Sequence, residues 1–207
     1  MRGSRLLALI AAIAVLALGV TIVVQGYTDN YQYHLTRVDD AGAEAPRPGL
    51  KLYGAKDSDG NVRRAADYQG DVVVLYAGYT HCPNVCPTTL AKLHAVRSKL
   101  SNDVASRIKV LFVSVDPKRD TEHGLGEYVA AFDRSFTGLR LTGDALERFE
   151  SHFNVDVTYG KPDDQGDYVV NHSGAVYIFG PKGQLQLIGS PADSVEDLTA
   201  DLRHLAG

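Results

Sequence analysis

An apolar run leads directly into two cysteines, and a helical pattern follows them. The run, Val72–Ala77, is rich in β-branched residues and carries no charge, which is typical of a strand buried on both faces. The segment 78–87 then contains Cys82 and Cys86, and apolar residues recur at helical spacing between Leu90 and Leu100. The two cysteines are therefore predicted to lie at a corner between a buried strand and a helix.

The rest of the chain alternates between strand and helix patterns. A second buried strand and a second helix after the corner predict parallel strands joined by right-handed crossovers. A hairpin and a closing helix then complete the element order of a thioredoxin-like α/β fold. The further predicted elements are strands at 108–115, 139–141, 155–159, 175–179 and 184–188, and helices at 121–132, 144–152 and 194–205.

The first residues have the features of a membrane anchor. Residues 6–24 carry no charge, and their number is close to the ~20 that a helix needs to cross a bilayer. Arg2 and Arg5 precede them, which by the positive-inside rule places residues 1–5 in the cytoplasm. We expect a single transmembrane helix that holds the following domain outside the cytoplasm, as in a bacterial-type inner membrane. A cleaved secretion signal is the alternative, and it exports the same domain.

Two segments are predicted between this anchor and the buried strand. Residues 25–48 show no sustained periodicity and end in small residues and prolines, which predicts a linker. The predicted thioredoxin-like domain, 49–207, opens with an N-terminal β-hairpin, in which a strand at 50–53 leads into a turn at Asp57–Asn61.

Charge and cysteine content exclude several classes of protein. The chain has 21 Lys and Arg against 25 Asp and Glu, and the part beyond Arg5 has 19 against 25, a net charge of −6. Nucleic-acid binding requires clustered cationic side chains, so we expect no nucleic-acid partner. Two cysteines also exclude a scaffold of several disulfides and a four-cysteine zinc site.

The spacing of the cysteines allows their sulfurs to converge. Side chains four residues apart lie on one face of a helix. Pro83 suits the first helical position, which places Cys82 at or near the N-cap, where the helix dipole favours thiolate over thiol. Three interpretations stay open: a static disulfide, a redox-active disulfide formed by Cys82 and Cys86, and a copper site that requires a third ligand.

One histidine stands out among the seven. His172 immediately precedes the predicted hairpin strand, which in this fold enters beside the strand that carries the cysteine corner. His81 adjoins Cys82, but neighbouring side chains of an extended segment point in opposite directions, so His81 is expected to support the loop. His34 lies in the predicted linker. The others lie on predicted helices or at their ends and are expected to be solvated or capping side chains, namely His94, His123, His152 and His204.

Three motifs and the apolar N-terminal segment together resemble the SCO/SenC family. The motifs are GYTHCPNVCP at 78–87, VSVDPKRDT at 113–121 and DYVVNHS at 167–173. This is a family of membrane-anchored, copper-binding proteins of thioredoxin-like fold that assist cytochrome c oxidase assembly. The resemblance implies that Cys82, Cys86 and His172 bind copper, as Cu(I) or Cu(II).

The chain departs from the family pattern at two positions near the implied ligands. Asn84 and Asn171 stand where many members carry Asp, so two carboxylates close to the metal are lost. Asp116 and Asp120 follow the pattern, but their expected roles are structural, since Asp before proline starts a turn and Asp120 can cap the second helix.

The predicted function is that of a copper metallochaperone without catalytic activity. Thioredoxins use Cys-x-x-Cys and a proline that faces it, whereas this chain has Cys-x-x-x-Cys and His172 in the facing position. The resemblance implies delivery of copper to the binuclear copper site of cytochrome c oxidase subunit II, with another periplasmic copper chaperone as a candidate donor. The alternative is an extracytoplasmic thiol-disulfide oxidoreductase that reduces partner cysteines, a role that can also accompany copper delivery.

Overall fold

Three parallel strands form one half of the central sheet. The computed structural model describes residues 32–38 and 48–207. Strand β2 (Val72–Gly78) is buried at every position and pairs in parallel with β3 (Ile108–Ser114), which pairs in parallel with β4 (Thr137–Arg140). The prediction of parallel strands around the Val72 run is confirmed.

The other half of the sheet is antiparallel. Strand β7 (Val176–Phe179) runs beside β2, β8 (Leu185–Gly189) beside β7, and the short β1 (Thr36–Arg37) pairs with β8 at the edge. The order in the six-stranded sheet is β1-β8-β7-β2-β3-β4. With the flanking helices, this is the thioredoxin-like α/β arrangement that the sequence predicts.

The helices bury their apolar side chains against the central sheet and against one another. The helices are α1 (Val85–Ser98), α2 (Asn102–Ser106), α3 (Glu122–Ala130), α4 (Asp144–Phe153) and α5 (Val195–Ala206), with a 3-10 helix at Ala65–Tyr68. Thr121 caps α3 by accepting the Gly124 N–H over 3.1 Å, and Ser194 caps α5 by accepting the Asp197 N–H over 3.0 Å. Helix α1 packs against α5, and α3 packs against β4.

A second, two-stranded sheet lies outside the six-stranded one. It consists of β5 (Val157–Tyr159) and β6 (Val170–His172), which pair antiparallel with Val157 opposite His172. The sequence predicts β5 but not β6, because three residues are too few for a clear pattern. His172 is therefore presented by this small sheet and not by the predicted loop before β7.

The predicted N-terminal β-hairpin is wrong in its first strand. Residues 50–53 form no strand, and Tyr53 and Gly54, with φ angles of 48° and 81°, turn the chain at the end of this segment. On either side of the predicted turn, the chain forms one isolated antiparallel β-bridge, between Lys56 and Val62. The Asp57 carboxylate shapes the turn between them by accepting N–H groups from Asn61 and Arg63 over 2.9 and 2.7 Å.

Part of the predicted linker 25–48 belongs to the folded domain. Thr36–Arg37 form β1, Leu35 is 4% exposed, and the buried Asp201 carboxylate accepts the backbone N–H groups of His34 and Leu35 over 3.0 and 2.8 Å. The predicted anchor 6–24 lies outside the described residues. Within 32–38 and 48–207, no helix combines the length and apolarity that crossing a bilayer requires.

Removing β1 is expected to destabilise the domain. A chain that begins at residue 48 loses the buried Leu35 and its hydrogen bond to Asp201. Compared with a chain that begins at residue 32, the free energy of unfolding should fall by about 2–4 kcal/mol in urea denaturation. The same truncation should lower the free energy of unfolding by less in an Asp201→Ala background, because the hydrogen bond to Leu35 is already absent there. Equal stability of the two parent chains would contradict a role for β1.

Candidate metal centre

The cysteine loop joins the end of β2 to the start of α1. The Cys82 N–H donates to the Tyr79 carbonyl over 3.3 Å, which closes a turn, and the helix begins only at Val85 with Asn84 as its N-cap residue. The prediction that Pro83 opens the helix and that Cys82 caps it is therefore wrong. The Cys82 sulfur nevertheless accepts the Cys86 N–H over 3.4 Å and so satisfies a backbone donor in the first turn of α1.

Cys86 is enclosed by the domain core. It lies in the first turn of α1, is 0% exposed, and its sulfur is 3.6 Å from the Tyr76 hydroxyl, which donates to it. A Cβ at Gly78 would come within 2.8 Å of the Cys86 sulfur and 2.6 Å of the Phe112 ring. Glycine is thus required at the end of β2 for the sulfur to approach the strand this closely.

His172 faces Cys86 with an available nitrogen lone pair. Its Nδ1 lies 2.9 Å from the Ser173 carbonyl oxygen, which can only accept, so Nδ1 carries the proton. The Nε2 atom lies 3.5 Å from the Cys86 sulfur. The imidazole is held edge to face against Tyr79, with ring centroids 5.8 Å apart. This tautomer leaves the Nε2 lone pair free to bind a metal.

The three predicted ligands converge. One ligand atom from each of Cys82, Cys86 and His172 lies within 4.8 Å of the other two. Among the residues that the structure describes, no other three His, Cys, Asp or Glu side chains come together in this way. Two sulfurs and one imidazole nitrogen form a soft donor set that suits thiophilic ions.

The surroundings shift the pKa values of the two thiols in opposite directions. Burial raises the pKa of the Cys82 thiol, but the N–H donors at the start of α1, led by that of Cys86, outweigh burial and leave the pKa lowered. Burial raises the pKa of Cys86 to about 12. Burial also lowers the pKa of His172, which keeps the imidazole neutral and able to coordinate.

The cluster opens to solvent through a neutral mouth. A cavity of about 270 Å³ adjoins it, and none of its lining residues is Asp, Glu, Lys or Arg. Asn84 and Asn171, both exposed, stand on its two sides. The lining residues are Tyr79, Cys82, Pro83, Asn84, Val85, Val169, Val170, Asn171 and His172.

Asp120 fastens the cysteine loop to the turn after β3. Its buried carboxylate accepts the Thr80 hydroxyl and the Ser114 hydroxyl, each over 2.6 Å, and the Thr80 N–H over 3.2 Å. The predicted cap on the second helix is therefore supplied by Thr121 and not by Asp120. Asp120 is structural as expected, but its contacts are long-range ones that no local pattern indicates.

The other described histidines lie outside the cluster. His81 is exposed and its Nδ1 lies 3.0 Å from the Thr80 hydroxyl, so it supports the loop as predicted. Other histidines contact groups elsewhere, namely His34 with Asp197, His94 with Asp133, His123 with Glu127 and His152 with the Gly49 carbonyl.

Comparison with known proteins agrees with this geometry. The SCO1/SenC family model matches residues 47–207. The chain belongs to the SCO1/SenC family. Over 152 residues it is 36% identical to a mitochondrial SCO2 homologue from Bos taurus, covering 72% of this chain and 57% of that protein. The chain thus spans little more than half the length of this curated relative.

Solved structures of the SCO1/SenC family share the fold. The apo Sco1 protein from Thermus thermophilus is 32% identical and superposes with a TM-score of 0.72, covering 85% of this chain and 98% of that one. Arabidopsis thaliana ScoI with copper bound is 28% identical, with a TM-score of 0.69 over 75% of this chain and 96% of that one. The thioredoxin-like architecture is therefore that of the family.

Sequence reasoning missed the residues that shape the centre without contributing ligands. Tyr76 and Gly78 both approach the Cys86 sulfur, and Tyr79 packs on the imidazole. The glycine at the end of a buried strand is a signal of close approach that was available in the sequence. The two tyrosines had no such signal. The Tyr76 hydroxyl reaches Cys86 across the strand-to-helix corner, and the partner of Tyr79, His172, lies far along the chain.

Gly78→Ala is expected to displace the Cys86 sulfur. The new methyl group would overlap the sulfur and the buried Phe112 ring, so we expect a loss of about 1–3 kcal/mol in the free energy of unfolding. A faster reaction of Cys86 with a thiol reagent in the folded protein should accompany it. Gly138→Ala is the matched control, since its methyl group would meet Leu125 at 2.8 Å, away from the sulfurs. Unchanged Cys86 reactivity in Gly78→Ala would contradict the assignment.

The two thiols are expected to react at different pH values. Thiolate is the reactive form, so the lowered pKa of Cys82 should make it react with iodoacetamide about tenfold or more faster than Cys86 at neutral pH. The rate for Cys82 should rise with pH and reach half its maximum at a pH below the pKa of an ordinary thiol. Cys82→Ser and Cys86→Ser report each thiol alone by mass spectrometry. Equal rates for the two single-thiol proteins would refute the asymmetry.

Proposed function

We propose that this protein is a copper carrier that binds copper through the sulfurs of Cys82 and Cys86 and Nε2 of His172. Copper is the cargo, and no catalytic step is required. The observation that carries the proposal is the approach of these three ligand atoms to within 4.8 Å of one another. Two thiolates and one imidazole favour Cu(I) and can also hold Cu(II).

Relatives support the choice of copper. Arabidopsis thaliana ScoI has been solved with copper bound, and this chain shares its fold over most of that structure. The SCO/SenC family to which the chain belongs assists cytochrome c oxidase assembly. We therefore propose the binuclear copper site of cytochrome c oxidase subunit II as the acceptor, and another periplasmic copper chaperone as the donor.

Transfer by ligand exchange fits the arrangement of the ligands. Cys82 lies at the mouth and is 9% exposed, whereas Cys86 lies behind it at 0%. His172 lines the same mouth, so an acceptor thiol would reach Cys82 and His172 before the enclosed Cys86 and would replace Cys86 last. The neutral mouth places no fixed charge between the copper and an approaching thiolate.

The proposed location is the extracytoplasmic side of a bacterial-type inner membrane. The uncharged segment 6–24, preceded by Arg2 and Arg5, supports a single-pass anchor with the domain outside the cytoplasm. That location brings the carrier close to a membrane-bound oxidase, whose copper-binding subunit would take the cargo at the membrane surface.

Thiol-disulfide exchange is the second candidate function. Both cysteines are free thiols in the structure, and a lowered pKa at Cys82 beside a raised one at Cys86 suits an attacking and a resolving thiol. This activity would use the same two sulfurs and leave His172 without a role. The contribution of His172 therefore separates the two functions.

The copper proposal predicts a graded loss of Cu(I) affinity. We expect His172→Ala to weaken binding about tenfold or more, and Cys82→Ser to weaken it further, because Cu(I) prefers thiolate to imidazole. Competition with a chromophoric Cu(I) chelator measures both. His123→Ala is the matched control, since His123 is an exposed histidine outside the cluster and the cysteine loop.

Undiminished binding by both His172→Ala and Cys82→Ser would reject the site. For the second function, turnover of a disulfide substrate by reduced, copper-free protein is measured in the same variants. Efficient turnover that does not change in His172→Ala, in a protein without copper affinity, would favour the oxidoreductase.

A further inference from the structure

The sheet that presents His172 depends on contacts with the rest of the domain. Strands β5 and β6 pair only with each other in the described structure. Two-stranded hairpins are marginally stable in water on their own. The position of the imidazole is therefore set by whatever holds this small sheet against the domain.

One side chain, Arg119, lies at the centre of those contacts. Its guanidinium carbon is 3.7 Å from the ring centroid of Tyr168, which lies two residues before β6. Its Nε donates to the buried Asp116 carboxylate over 2.6 Å, and the Tyr168 hydroxyl donates to the same carboxylate over 2.7 Å. We call these three residues, Asp116, Arg119 and Tyr168, the latch.

The latch also reaches the cysteine loop. The Arg119 guanidinium lies 5.7 Å from the ring of Tyr79, the residue that packs on the imidazole of His172. Tyr79 in turn accepts the Val170 N–H of β6 over 3.4 Å. The residue after Arg119, Asp120, holds Thr80 of the cysteine loop. A single turn thus contacts both parts of the metal centre.

The chemistry of the contact requires arginine. The guanidinium is planar and can stack on Tyr168 while its edge binds Asp116, which a lysine ammonium cannot do. The Arg119 side chain is 15% exposed and that of Asp116 is 0% exposed, so solvent screens the pair weakly. Its Nη1 also lies 3.7 Å from the exposed Asp167 carboxylate, whereas the buried Nη2 has no hydrogen-bond partner among the described residues. Stacking on Tyr168 and the contacts with these two carboxylates therefore position the group.

We propose that Arg119 is a positioning residue that keeps the third ligand in place. By holding Tyr168, it keeps the β5–β6 sheet, and with it Nε2 of His172, against the two sulfurs. Loosening the latch lets the imidazole withdraw and leaves a two-thiol site. The consequence for copper rests on the proposed function, whereas the effect on the hairpin does not.

Hydrogen exchange in the metal-free protein tests the latch directly. Arg119→Gln is expected to speed hydrogen exchange of two amides by about tenfold or more. They are the Val170 amide of β6, which donates to the Tyr79 hydroxyl, and the Gly160 amide just after β5, which donates to the Val169 carbonyl. Amides of Val74 and Leu111 in the main sheet should not change. Exchange of the Val170 and Gly160 amides should be as fast in Arg119→Lys as in Arg119→Gln, because lysine keeps the positive charge but has no planar group to stack on Tyr168.

Two further variants keep the test decisive. Tyr168→Leu removes the stacked ring and leaves the Asp116–Arg119 pair in place, so it should reproduce the faster exchange even if Arg119→Gln is poorly folded. Lys118→Gln removes a neighbouring exposed positive charge and should have no effect. Unchanged Val170 and Gly160 exchange in folded Arg119→Gln or Tyr168→Leu would overturn the proposal.

A double-mutant cycle with Cu(I) tests the link to His172. Arg119→Gln should lower Cu(I) affinity about tenfold in the wild-type background and have no further effect in His172→Ala. Additive losses would show that Arg119 acts elsewhere and would overturn the positioning role. Absence of copper binding by the wild-type protein would instead reject the proposed function, and the exchange rates alone would then decide the latch.

Discussion

The 3.5 Å approach of His172 Nε2 to the Cys86 sulfur is the contact on which the rest of the centre depends. It requires a buried strand that ends beside the small sheet, a glycine at that end, and a hairpin held at the correct distance. The sulfur comes close to β2 because Gly78 has no Cβ. The nitrogen comes close because Tyr79 and the latch restrain the opposite side.

The surroundings give the ligands different chemical characters. Cys82 receives N–H groups at the start of α1 and lies at the mouth, whereas Cys86 is enclosed beside Tyr76 and Tyr79. A domain that only needed a disulfide would gain little from a buried imidazole with a fixed tautomer. The combination of one thiol at the mouth, one fully enclosed thiol and a neutral nitrogen is better suited to accepting and releasing an ion.

Much of the fold could be predicted because its signals are local. The buried strands Val72–Gly78 and Ile108–Ser114 are continuous apolar runs, and α3 and α5 begin at side-chain caps. The errors came where long-range contacts outweigh local pattern. The chain before residue 48 reads as a linker, yet Asp201 and β8 hold β1 in the domain, and the turn at Tyr53 replaces a predicted strand.

The sequence by itself determined the strand-to-helix corner and the nearness of its two sulfurs, because Cys82 and Cys86 are only four residues apart in a segment that turns between a strand and a helix. It also carried the family resemblance that singled out His172. Only the tertiary structure decided that the imidazole meets those sulfurs and which residues hold it there. Cys86 and His172 are 86 positions apart, and no periodicity encodes a contact over that distance. Such a contact depends on the assembled sheet and, in our proposal, on the packing of Arg119 against Tyr168.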